Sequence, residues 1–515
     1  MGKIKIGAAT PPQNRAKPQN IPEGNIDQVP KGRRRLRGAS RYGRMNTFVG
    51  RFLVLLVILS AIPVASNRPA WWLIWTMVLG ALGLSYVFRS QYLMGTRRSF
   101  QTSSYRAFFV VALMVPLYAL FQALPLADFL PADVLSLPDR IPASIFPHSI
   151  SLMPDTSLLG AIRAVGFLVF LMLTIEIGTR SNRNHTLGLW LMIGILAHGI
   201  FGMVSLKALD DFALWGEKEA YLGMLTGTFI NRNSIATFLG FGLIIALAYA
   251  LVRSHETSLV TRDRGYKMIL TPERMEVLGL WLAFAVLAVA ILLTQSRMGA
   301  FAAGVGAFIT FVTLRLHFKV SRRRIALESL FALSILIALI IPAAGSGVIE
   351  RALFTLVESN VRVNLYIQTL EMIADRPWAG FGYDAFAPAF ELYRAPPLVN
   401  EEYVDLAHNT YLALWSEQGL IIGSIPMILI GWAALMISQN LRRGEGDVAL
   451  SAAAIGVIVL GAIHSTVDFS LEIPANVFCF LLIVGLAMAR PRLKGHDKTS
   501  VKATDPADTV IGRKA

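Results

Sequence analysis

Apolar residues in this chain come in long runs separated by short polar stretches. The runs begin near Thr47, Ala70, Ala107, Ser157, Leu187, Ser234, Val277, Gly299, Ile325, Gly419, Val448 and Pro474. A helix of roughly 20 mostly apolar residues crosses a bilayer. The pattern therefore predicts an all-α polytopic membrane protein with about twelve spans, occupying residues 46–490. The largest interruption is Gly345 to Ala407, too long for an ordinary connector. Inside it, Val363, Leu365, Ile367, Leu370, Met372 and Ile373 recur at helical spacing, which predicts an amphipathic helix over Arg362 to Ala374. Pro377-Trp378-Ala379-Gly380-Phe381-Gly382 ends that helix, and Phe386, Phe390 and Tyr393 follow. A partly helical lid over 345–407, between spans nine and ten, is the expectation. Residues 1–45, rich in Pro, Gly, Asn and Arg, read as a disordered basic tail, and residues 491–515 as a second polar tail.

Charge sets the direction of the spans. Basic residues favour the cytoplasmic side. Arg33, Arg34, Arg35, Arg37, Arg41 and Arg44 precede the first run, and every second connection after it is basic. These are Arg89 to Arg106, Arg180 with Arg183, Arg253 to Arg274, Arg315 to Arg324, Arg442 with Arg443, and the tail from Arg490. The alternate connections are acidic or neutral, with Asp128, Asp133, Asp139 and Asp155 in one and Asp210, Asp211, Glu217 and Glu219 in another. Both termini are thereby placed in the cytoplasm, and the lid on the outer face of the membrane. Pro63-Val64-Ala65-Ser66 faintly resembles a signal cleavage site, but the run before it is long and reads as an uncleaved anchor.

Composition supports the same class. The chain has 515 residues, 54% hydrophobic and 16% charged, against about 25% charged in soluble domains. Its net charge of +15 lies in tails and connections, with no basic groove interleaved with aromatics, so nucleic acid is not a partner. Cys479 is the single cysteine, which excludes an intrachain disulfide.

Polar groups collect at the outer ends of the spans. Asn231-Arg232-Asn233 opens the sixth, Thr294-Gln295-Ser296-Arg297 joins the seventh to the eighth, Ala407-His408-Asn409 precedes the tenth, and His464, Ser465 and Asp468 end the eleventh. Two arginines thus stand where the charge rule disfavours them. A single arginine at a helix end commonly serves as a snorkelling anchor; four polar clusters on one face read better as a site. Arginine offers a planar fork of donors suited to phosphate, so a pyrophosphate with a lipid tail in the bilayer suits the set. Histidine can take a proton from a hydroxyl nucleophile. Nothing visible has the spacing of metal ligands, so no metal and no cofactor are expected.

These segments resemble the bacterial O-antigen ligase and O-antigen polymerase superfamily. The resemblance rests on Gly227 to Asn233, Leu293 to Gly299, Arg362, Asp375 to Gly382 with Phe386, Ala407 to Leu412 with Glu417 and Gly419, and His464-Ser465 with Asp468 and Pro474, in that order. It implies a metal-independent inverting glycosyltransferase acting on the periplasmic face of a bacterial inner membrane. Such an enzyme would move a glycan from undecaprenyl pyrophosphate to a hydroxyl of lipid A core or of another glycan. By position, Arg232 and Arg297 resemble the family's pyrophosphate-binding arginines and His408 its base or acceptor-orienting residue. Arg362, Asn231, Asn233, Asn409, His464 and Asp468 would line the substrate site. Ligase and exopolysaccharide or capsule polymerase share these motifs.

Other readings are weaker. A flippase for the same lipid-linked sugars would need paired broken helices or midplane charges, and no internal repeat is visible. Gly380-Phe381-Gly382 reads as a turn seating the lid, because no strand precedes it as a phosphate loop would need. Gly299, Gly304 and Gly306 read as close helix packing. Glu176 and Glu328 read as interfacial, His198 stays undecided, and Trp71, Trp72 and Trp75 form an aromatic belt.

Overall fold

A computed structural model describes residues 31–93, 100–126, 129–131, 148–264, 271–330, 348–400 and 404–490. Among the described residues the fold is all helix, with no strand. In chain order the helices are α1 (Lys31–Ser60), α2 (Pro69–Phe88), α3 (Arg106–Ala123), α4 (Pro154–Ile177), α5 (Ser181–Ala208), α6 (Arg232–Arg264), α7 (Pro272–Leu293) and α8 (Arg297–His317). They continue with α9 (Val348–Asp375), α10 (Phe386–Glu391), α11 (Thr410–Arg442), α12 (Val448–His464) and α13 (Pro474–Met488). Nine of the described helices are long and apolar enough to cross a membrane, and α12 and α13 are shorter apolar helices. They coincide with eleven of the twelve runs. The run from Ile325 shows helical backbone at 322–330 and continues into 331–347, outside the described residues. Residues 1–30 and 491–515 also lie outside them; α1 begins at Lys31, within the stretch expected to be disordered.

The bundle is built around α6. Ile235, Ala236, Phe238, Leu239, Phe241 and Ile244 are all fully buried, as expected of a helix apolar on every side. The peripheral helices show the converse: Ile421, Ile428 and Leu435, seven residues apart on one side of α11, are 63%, 60% and 64% exposed. A stripe of that kind suits a lipid-facing surface. Small residues let the inner helices close up. A Cβ at Gly306 would lie 2.6 Å from the Gly456 carbonyl oxygen, and one at Gly299 would lie 2.7 Å from the Ala236 Cβ. Gly304 departs from the expectation: it faces open space, so only two of the three glycines on α8 serve packing.

The segment after α9, expected to form a lid, is seated by a break in α11. Gly419 has φ 71° and ψ 168° inside that helix, which interrupts its ladder and frees carbonyls. The Phe381 and Gly382 amides donate to the Ser416 and Glu417 oxygens at 2.9 and 3.0 Å, and the Leu420 amide donates to the Pro377 oxygen at 2.7 Å. Gln122 of α3 joins in, its Nε2 donating to the Ala379 and Glu417 oxygens at 2.8 Å each. The turn expected at Gly380 to Gly382 is thus a plug in a broken helix. Leu365 and Met372 of α9 bury against Phe381, Phe386, Phe390 and Tyr393, whereas Val363, Ile367 and Leu370 stay about half exposed on the other face.

A second tie joins the lid to α4. Arg163 Nη2 meets Asp384 Oδ1 at 2.5 Å, largely out of solvent, with the guanidinium also over the Trp72 and Tyr383 rings. Removing one partner of a buried pair leaves an uncompensated charge, which costs about 3–5 kcal/mol. Asp384→Asn keeps a residue tolerant of its φ of 60° and should lower the thermal midpoint in detergent, while adding Arg163→Met should restore part of the loss. An unchanged midpoint for Asp384→Asn would remove this pair from the forces holding the lid.

His198, undecided from sequence, and the two acids read as interfacial all find partners. His198 bonds Thr228 Oγ1 and the Ile58 oxygen at 3.1 Å each, linking α5 to α1 and to the loop before α6. Glu176 accepts from the Thr102 amide and hydroxyl, and Glu328 pairs with Arg315 and Arg324. These are structural roles.

Candidate active site

The connection between α12 and α13, residues 465–473, gathers the polar clusters. Asp468 is buried and accepts from Asn233 Nδ2 at 3.1 Å and from the Ser470 hydroxyl. Asn233 in turn accepts from Ser296 Oγ at 2.7 Å, so α6, the α7–α8 turn and the 465–473 connection form one chain of hydrogen bonds. Asn409 Nδ2 donates to the Thr466 oxygen at 2.9 Å, and Arg362 Nη1 lies 3.5 Å from the Val467 oxygen. The His408 ring packs edge-on against Phe469 at 5.0 Å, and His464 Nδ1 pairs with Thr237 Oγ1 at 2.6 Å. Segments far apart in sequence therefore meet on one hub at one end of the bundle.

Local chemistry fixes each member. Asn231 caps α6, its Oδ1 accepting from the Asn233 and Ser234 amides, which leaves Arg232 at the first turn. Arg232 lies over the Tyr221 ring at 5.5 Å, and its buried Nε meets no hydrogen-bond partner. Ser296 caps α8 by accepting from the Gly299 amide, and Arg297, the next residue, is exposed. Asn409 caps α11 through the Tyr411 and Leu412 amides. The three asparagine and serine caps are the preferred residue types for helix starts, so the caps also aim the neighbouring Arg232, Arg297 and His408.

His408 itself has φ 50°, a left-handed conformation uncommon outside glycine. Its carbonyl accepts from the Tyr366 hydroxyl of α9 at 2.9 Å, and its buried Nδ1 has no partner. Burial lowers its pKa below the ordinary histidine value; Asp468 pulls it up and Arg362 pushes it down further. A neutral imidazole with an unused nitrogen is suited to accept a proton. Nearby, burial pushes the Glu472 carboxyl up to about 8.

His408 and Asn231 line one cavity of about 330 Å³ together with Arg68, Tyr221, Asp405 and Phe469. Arg232 reaches this cavity's wall through Tyr221. Arg232, Asn233, Arg297, Arg362, Asn409, His464 and Asp468 are not in the lining; of these, Asn233, Arg362, Asn409 and Asp468 meet at the hub beside it. Arg68 and Asp405 escaped the sequence reading. The signal for Arg68 was available, since it too is an arginine at the end of the bundle where the charge pattern disfavours one. Among the described residues no group of three or more His, Cys, Asp or Glu side chains could hold a metal ion.

Fold and site together define a polytopic helical membrane protein with a polar, arginine- and histidine-bearing site at one end of its bundle. Residues 282–428, from within α7 to within α11, match the family model for O-antigen ligase. That likeness, confined to this stretch, supports a membrane protein of the O-antigen ligase or polymerase type. Arg297, Arg362, His408 and Asn409 lie inside the match; Asn231 to Asn233, His464 and Asp468 lie outside it, and Asn233, bonded to Asp468, reaches it through Ser296. No curated protein matches the chain.

Proposed function

We propose that the protein is a metal-independent inverting glycosyltransferase. It takes a glycan from undecaprenyl pyrophosphate and passes it to a hydroxyl of lipid A core, or of another glycan, on the periplasmic face of the inner membrane. The observation that carries this reading is the cavity shared by His408 and Asn231, with Arg232 stacked behind Tyr221 of its lining. Arg232 and Arg297 hold the pyrophosphate and stabilise its charge as it leaves. His408 removes the proton of the acceptor hydroxyl as that oxygen attacks the anomeric carbon. Arg362, Asn233, Asn409, His464 and Asp468 support the site from the hub. Both termini stay in the cytoplasm, and the lid of 345–407 covers the site from outside.

The test is deletion of the gene followed by inspection of lipopolysaccharide and secreted polysaccharide. Loss of long chains from lipid A, with lipid-linked polymer accumulating, identifies the ligase. Products of a single repeat unit identify the polymerase of O-antigen, exopolysaccharide or capsule. Unchanged polysaccharide on both sides, or lipid-linked units trapped in the inner leaflet as a transporter would leave them, rejects transfer. In membranes, activity that EDTA abolishes and magnesium restores would overturn the metal-free mechanism.

A further inference from the structure

The turn between α1 and α2 is built as part of the same cavity. Val64, Ala65 and Ser66 have φ of 53°, 54° and 59°, three successive non-glycine residues in left-handed conformation. Such a run is disfavoured at each residue and persists only where the surroundings impose it. Here Ser66 Oγ donates to the Ser60 oxygen at 2.6 Å and accepts from Trp75 Nε1 at 2.9 Å, tying the turn to α1 and α2. The turn delivers Val64, Ala65, Asn67 and Arg68 to the wall of the cavity that Asn231 and His408 also line.

Arg68 is the informative member. It stands in extended conformation immediately before Pro69, the first residue of α2. The positive end of a helix dipole repels a cation there. The side chain is exposed, yet it makes no ion pair with any described residue, Asp405 of the same cavity included. An unpaired arginine at an unfavourable place, held by a strained turn over a cavity, is explained by an anion that occupies the cavity.

We propose that Arg68 is a third phosphate-binding arginine, contacting a polyprenyl pyrophosphate from the turn between α1 and α2. The proposal rests on the donor site inferred above and extends it to a residue outside every motif and outside the matched region. Arg68 acts on binding of the donor, with its planar fork on the phosphate oxygens; it takes no part in proton transfer.

The experiment measures binding of undecaprenyl pyrophosphate and of undecaprenyl monophosphate to the purified full-length protein in detergent. Wild type should prefer the pyrophosphate. Arg68→Gln should raise the pyrophosphate Kd about 10- to 100-fold, the span of one lost charged hydrogen bond, and move the monophosphate Kd much less. Arg68→Lys should recover only part, because an ammonium lacks the fork. In transfer assays the loss should fall on KM, with kcat retained. If Arg68→Gln binds pyrophosphate like wild type while Arg232→Gln does not, Arg68 is no ligand and the donor-site reading survives. If wild type shows no preference and Arg232→Gln changes nothing, the donor-site reading fails and takes this proposal with it. Thermal midpoints measured without ligand guard the interpretation: both Arg68 variants melting well below wild type would assign Arg68 a structural role and overturn the proposal.

Discussion

Replacing His408 by alanine is expected to slow glycan transfer in membranes about 10²- to 10⁴-fold, the usual range for a lost general base. The ring is held for that task from three directions. The backbone is fixed at φ 50°, the Tyr366 hydroxyl clamps the carbonyl, and Phe469 supports one edge of the ring. Its free Nδ1 is buried without a partner, so it can accept a proton without breaking a bond already made. The pH dependence follows from the lowered pKa. A base works in its neutral form, so transfer is lost as pH falls through the folded pKa. Because burial puts that pKa below the ordinary value of about 6.5, the rate should stay level from neutral pH down past that value and fall only below it. Near-normal transfer by His408→Ala, or a rate already falling between pH 8 and 7, would remove His408 from the role of base. Tyr366→Phe should give a smaller loss with the same pH profile, because it loosens the clamp and leaves the nitrogen in place.

Most of the bundle was legible because hydropathy needs only local information. Eleven runs became helices at nearly the expected positions. The tenth is instructive where it departs: the apolar run starts at Gly419, but α11 starts at Thr410. Ser416, Glu417 and Gln418 interrupt the apolar pattern, and they are buried because the lid plugs the break beside them. No window of hydropathy registers burial supplied by a segment some forty positions earlier. The same limit hid the Arg163–Asp384 pair, whose partners are distant in sequence and meet only once the lid docks.

The site divides in the same way. Arg232 and His408 were visible as polar residues at span ends, and the structure brings their segments to one cavity. The hub at 465–473 was visible only as Ser465 and Asp468. Its function as a meeting point depends on backbone oxygens of Thr466 and Val467, which carry no sequence signature. Arg68 was legible by the charge rule but stands next to no other polar cluster in sequence. Its meaning depends on the left-handed turn before it, and Val-Ala-Ser contains no glycine to announce such a turn.

Gly419→Ala is expected to unseat the lid and abolish transfer, a result with a sharp internal control. At φ 71° and ψ 168° the residue occupies a region of backbone space that is essentially glycine-only, where a side chain costs about 1–3 kcal/mol. The added Cβ would also lie 2.1 Å from the Trp378 oxygen and 2.5 Å from its carbon. Those atoms belong to the plug and cannot rotate away as a flexible side chain would. Relieving the clash separates Pro377 to Gly382 from α11, losing the bonds from Phe381, Gly382 and Leu420 and exposing the Ser416 and Glu417 oxygens. Each orphaned group costs about 1–3 kcal/mol, so the docked lid should open before the bundle unfolds. Gly431, in the same helix, faces open space: a Cβ added there would meet no atom within 4 Å. Gly431→Ala should therefore be neutral or stabilising by up to about 1 kcal/mol. Limited proteolysis of membranes reads the difference directly. Gly419→Ala should be cut within 376–400 at protease levels that spare wild type and Gly431→Ala, with transfer lost in parallel. Equal resistance of the three proteins would show that the break at Gly419 does not hold the lid. Because His408 is tied to α9 by Tyr366 and to α11 by its neighbour Asn409, a lid that opens also releases the proposed base from the cavity. Structure and chemistry should therefore fail together in this variant.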